Sequence, residues 1–74
     1  MNTSGYVVIG IHDEDGMIEY FNGSSIVAEQ SAVKIFGVLG EARAMAGLLQ
    51  KDYLHGEIAV RSVSIALTIS QMTR

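Results

Sequence analysis

The chain has 74 residues, 49% of them hydrophobic, with a net charge of -3, a pI near 5.1 and a mean hydropathy of +0.30. That length makes one small domain over 1–74, which buries only about 60% of its unfolded surface and so has a marginal core. Without cysteine the chain forms no disulfide and no thiolate-bound zinc or iron–sulfur centre, and its acidic balance argues against a general nucleic-acid binder.

Residues 6–13, "YVVIGIHD", alternate: Val7, Ile9 and Ile11 share one side, Tyr6, Val8, Gly10 and His12 the other. Period two with β-branched residues predicts a strand. A second short strand is expected over 17–22, "MIEYFN". Between them stands "DEDG", and Asp-Gly between alternating apolar runs is a strong hairpin signal. The acids at 13–15 are consecutive, so their side chains splay apart, whereas a calcium loop spaces its ligands at alternate positions and ends in a glutamate. A solvated turn is therefore expected there, and no metal.

"NGSS" (22–25) ends the second strand. Residues 26–36, "IVAEQSAVKIF", fit either a helical face through Ala28, Ala32, Ile35 and Phe36 or a short strand at 32–36, because short apolar runs do not decide by periodicity alone. A helix is predicted over 38–51, where Val38, Ala42, Met45, Ala46 and Leu49 form a stripe that Leu39 and Leu48 widen. Glu41 near its start and Lys51 near its end match the helix dipole. Gly47 costs about 1 kcal/mol against alanine, so close approach of another backbone is expected there. The last strand is predicted over 57–69, with Val63, Ile65 and Leu67 on the side under the helix and Ile58, Val60 and Ser62 on the other, unpartnered side.

The fold class expected is thus α+β: a small antiparallel sheet of a β-hairpin, a short strand and a C-terminal strand, packed on one α-helix. The order of hairpin, "YFNGS", "AVKIF" and then Glu41, Ala42, Ala46, Leu49 and Gln50 resembles small accessory proteins of bacteriophages and prophages over roughly residues 6–50. That pattern places an alanine three residues before the phenylalanine, where this chain has Val33. The resemblance implies "AVKIF" as a strand and a function of binding a host protein or a small signalling molecule, with no catalytic residue carried over.

Enzymatic function is not expected, since there is no phosphate-binding glycine loop, no nucleophile elbow and no cysteine. Ser24 and Ser25 after a strand read as turn residues. A helix-turn-helix around "GVLG" is an alternative if 26–36 is helical, but its second helix would carry only Arg43 and Lys51 as cations. Small scaffolds without a disulfide or a metal are commonly stabilised by a second copy of themselves. The preferred reading is therefore a self-associating binding module, with Ile58, Val60 and Ser62 as the interface and a host protein as partner. A sequestering protein is the rival, with Arg43, Arg61 and Tyr53 meeting an anionic ligand. No cofactor is expected. Residues 1–20 lack a basic start followed by an apolar run, and 58–69 is broken by Arg61 and falls short of the roughly 20 residues of a membrane span. A cytoplasmic, non-membrane protein is the expectation.

Overall fold

The computed structural model describes residues 2–66, which form a four-stranded antiparallel sheet packed with one α-helix, the α+β class expected. The strands are β1 (Asn2–His12), β2 (Ile18–Phe21), β3 (Ile26–Val27) and β4 (Gly56–Ala66), in the order β3-β2-β1-β4. The helix, α1, spans Leu39–Gln50. No helix among the described residues is long and apolar enough to cross a membrane.

The β1–β2 hairpin closes through the turn that "DEDG" predicts. Gly16 takes φ 71°, a conformation that costs glycine nothing. Its N–H donates to the His12 carbonyl at 3.0 Å, and Asp15 Oδ1 accepts the Met17 N–H at 3.0 Å. At the next corner Asn22 Oδ1 accepts the N–H groups of Ser24 and Ser25, both at 2.8 Å, and Gly23 sits at φ 106°. This side-chain turn returns the chain as β3, so the short strand lies at 26–27.

Residues 32–36 do not form the expected strand. Gln30–Ala32 make a single 3-10 turn, and only Phe36 bridges to Tyr6. Extended alternation is nevertheless present: Val33 and Ile35 face one side of the sheet and Phe36 the other. The Lys34 N–H donates to the Phe21 carbonyl at 2.8 Å, while Phe36 and Tyr6 exchange bonds of 2.7 and 2.8 Å. The segment thus fills the notch left where β2 turns away from β1, a gap too short for a ladder. Residues 26–36 contain no α-helix, so the two helices needed by the helix-turn-helix alternative are not formed.

The core lies between sheet and helix. Val8, Phe21, Phe36 and Ala42 are buried, and Tyr6, Met45, Ala46, Leu49, Ile58 and Val60 pack around them. Burying each of Val8, Phe21 and Phe36 contributes roughly 1.5–3 kcal/mol. The rings of Phe21 and Phe36 stack with centroids 6.3 Å apart. The helix stripe is narrower than its pattern suggested, because Val38 and Leu48 are more than half exposed. Among the described residues, nothing beyond the helix's own backbone lies within 4 Å of where a Cβ on Gly47 would stand, so the expected backbone contact is not found there.

The two sides of β4 are reversed relative to the expectation. Ile58 and Val60 lie under the helix, whereas Val63 faces the other way beside Val7. The register explains it. Val60 pairs with Val8 and Ile58 with Gly10, and paired residues of an antiparallel ladder share a face. Val8 is the residue α1 covers, so Val60 goes with it. Ile58 and Val60, proposed as interface residues, are therefore half-buried parts of the core, and only Ser62 of that set is exposed. The side chains of Ile65 and Leu67 lie outside the described residues.

Candidate functional site

Two places combine chemistry with access. The first is the corner where the hairpin tip meets the α1–β4 loop. His12 ends β1, Glu19 lies in β2, and Tyr53 follows the helix. His12 Nε2 and Glu19 Oε1 are 2.9 Å apart, and the Tyr53 hydroxyl donates to the same oxygen at 3.2 Å. The His12 ring meets Tyr53 edge-on at 5.9 Å and lies 6.3 Å from the His55 ring. The backbone completes the joint, since the Asp13 N–H donates to the His55 carbonyl at 2.9 Å.

Gly10 makes this arrangement possible. The hydroxyl end of the Tyr53 ring lies against it, and a Cβ there would stand 2.7 Å from both Cζ and the hydroxyl oxygen. A glycine in mid-strand is destabilising unless something needs its space, and here an aromatic ring does. Partial burial, the hydrogen bond to Glu19, and the charges of Glu19, Asp13 and Asp15 all raise the Tyr53 hydroxyl above its ordinary 10.0. Tyr53 is thus held as a neutral donor. Although the two histidines and Glu19 converge, no group of three possible ligands among the described residues is arranged to hold a metal ion.

The second place is the face of the sheet away from α1. Val7, Tyr20 and Val63 line one wall of an open, largely apolar cleft of about 690 Å³, and Gln30, Val33 and Ile35 line the other. Ile35 is 44% exposed and Ile18, on the same face, 37%. Arg61 pairs with Val7 and therefore lies on this face too, exposed beside the cleft.

The residues proposed for an anionic ligand do not meet. Arg61 is on the open face, Tyr53 is on the helix face over Gly10, and Arg43 is exposed on α1 next to the inward-facing Ala42. Two participants were not singled out from the sequence. Glu19 reads as an ordinary strand residue, and its only sequence signal is that it pairs with Gly10 across the hairpin. Gln50 gives no such signal. Its amide oxygen accepts the Ile58 N–H at 2.7 Å, and its amide nitrogen donates to the carbonyls of Tyr53 and Gly56 at 3.2 and 3.3 Å.

Compared with protein-family models, curated proteins and solved structures, the chain matches none.

Proposed function

We propose that the chain is a non-enzymatic, self-associating binding module that receives its partner on the sheet face opposite α1. The observation that carries this is the open apolar cleft between Val7, Tyr20 and Val63 and the 30–35 segment. A cleft of this size and lining is the usual form of a recognition site. The resemblance of residues 6–50 to phage and prophage accessory proteins makes a host protein in the cytoplasm the partner of choice. A small anionic ligand is the second reading, favoured by the position of Arg61 beside the cleft.

A native mass spectrum of protein purified from its source cells tests both. The proposal expects multiples of 8.0 kDa carrying a bound protein, and loss of that protein in Ile35→Asp. A retained small anion that disappears in Arg61→Gln supports the second reading. A bare monomer, with nothing retained by either chain, overturns both.

A further inference from the structure

β4 is an edge strand of the four-stranded sheet, and its full described length pairs with β1 on the inner side without interruption. In an antiparallel ladder, backbone groups point alternately to the two neighbours. The Tyr6 bonds to Phe36 point even residues of β1 away from β4, while the Asp13 bond to His55 points odd ones toward it. By the register, Ile58, Val60, Ser62, Ser64 and Ala66 therefore direct their N–H and C=O groups outward. Gln50 already occupies the beginning of that outer edge. Its amide takes the Ile58 N–H and the Gly56 carbonyl, the two groups a further strand would take first. The remaining edge among the described residues, from Val60 to Ala66, carries no proline, no bulge and a single charge, Arg61. Such an edge is a template for strand addition.

The other end of the ribbon also has no further partner strand among the described residues. β2 pairs with β1 only at Ile9, Gly10 and Ile11, and the Phe36 bridge stops at Tyr6. Asn2–Gly5 with Val63–Ala66 thus make an arm paired to nothing else among the described residues. Two-stranded ribbons alone are marginal in water.

We infer that two copies join by antiparallel pairing of their β4 edges about a two-fold axis at Val63, which fuses the sheets into one. The self-association proposed above is the premise. Among the described residues, the outward groups that Gln50 leaves open run from Val60 to Ala66, and an axis at Val63 pairs all of them with one another and sets none against Ile58. In this register Val60 takes position 66 of the second copy and Ser62 takes Ser64, so every free outward group from 60 to 66 is paired and neither Gln50 moves. An axis at Arg61 would face arginine with arginine, which is unfavourable in a cross-strand pair. An axis at Val60 would set Ser62 against Ile58, whose N–H is taken. Each arm lies along the body of the other copy, which a two-fold axis makes reciprocal. Because Val63 lines the cleft, the two clefts meet at the axis, and each copy contributes a wall to one continuous trough.

The chain has no cysteine, so single-cysteine variants report the register cleanly. The experiment is oxidative cross-linking of the full chain at about 10 µM, beside light scattering after size exclusion. Val63→Cys should give a covalent dimer roughly a hundredfold faster than Glu57→Cys, the ratio of millimolar effective concentration to micromolar protein. Arg61→Cys and Ile65→Cys should cross-link slowly alone, since like positions lie about 13 Å apart along the strands, and quickly when mixed. A dimer by light scattering that cross-links fastest at Ser62→Cys, or at no β4 position, overturns the register and leaves self-association standing. A monomer by light scattering overturns both. Circular dichroism identifies any variant that fails to fold, and the mixed 61 and 65 pair then carries the test in place of Val63→Cys.

Discussion

Replacing Gly10 with alanine should destabilise the protein, and removing Tyr53 should abolish that cost. The new Cβ would stand 2.7 Å from two Tyr53 atoms and 3.1 Å from a third, against the 3.5–4.0 Å at which carbon atoms pack best. The ring must withdraw by about 1 Å. Its hydroxyl bond to Glu19 is already 3.2 Å long and does not survive that shift. Overpacking costs about 1–3 kcal/mol, and the gain from a stiffer unfolded chain offsets about 0.4–1 kcal/mol. The net loss is therefore about 1–2 kcal/mol, read as a fall of about 1–2 M in the urea midpoint if the m-value is near 1 kcal/mol/M. Urea unfolding of wild type, Gly10→Ala, Tyr53→Ala and the double variant, all at one protein concentration, gives the coupling directly. In the Tyr53→Ala background, Gly10→Ala should be neutral or stabilising. An equal cost in both backgrounds would refute the account of Gly10 as space for the ring.

Three further outcomes follow from the same geometry. Asp13→Asn with Glu14→Gln should shift stability by no more than about 0.5 kcal/mol, because both side chains are exposed in the turn; a zinc- or calcium-dependent rise in Tm abolished by the pair would contradict this. The raised Tyr53 hydroxyl stabilises the fold fully below pH 10, and this contribution is lost as pH climbs through the folded-state value, so the tyrosinate absorbance lost in Tyr53→Phe should titrate with a midpoint above 10. Val60→Lys should unfold the chain rather than simply dissociate it, since Val60 packs against the core; circular dichroism showing a folded monomer would contradict its placement.

The hairpin, the helix and the last strand are legible in the sequence because each rests on local chemistry. Asp-Gly selects the turn, period two makes β1, and the stripe from Ala42 to Leu49 makes α1. The facing of β4 was not legible. Both of its sides are semi-apolar, so alternation assigns residues to sides without saying which side meets the helix. That choice is made non-locally, by the register that sets Val60 against Val8. "AVKIF" failed as a strand for a related reason. Its alternation is real, but the hydrogen-bonding positions it needed were left vacant over only a short notch, a fact of where β2 ends. Gly47 misled because a helical glycine signals close packing only when something lies opposite, and here α1 turns that face outward. In the candidate site, Arg43, Arg61 and Tyr53 stand out by residue type, and type carries no information about which face of the sheet each will occupy. Glu19 gives no local sign of its role, because nothing in its neighbourhood shows that Tyr53 reaches it across 34 positions of chain.

Among the described residues, the side-chain polar bonds are unevenly distributed along the ribbon, and this bears on the function proposed above. His12, Glu19, Gln50 and Tyr53 all act at the end of β1 and β4 that joins the hairpin tip. Their bonds tie three separate segments together and occupy the edge at Gly56 and Ile58. Toward the other end, from Val60 onward, the sheet carries exposed serines on one side and the apolar cleft on the other. A small domain has few residues with which to stabilise itself, so closing one end firmly allows the other to stay open without unravelling. Gln50 serves both ends at once. By holding the first edge groups it keeps a neighbouring strand from docking against the corner, and it thereby confines any added strand to the stretch that borders the cleft. In the dimer proposed above, assembly and recognition are then directed to the same half of the molecule by a single amide.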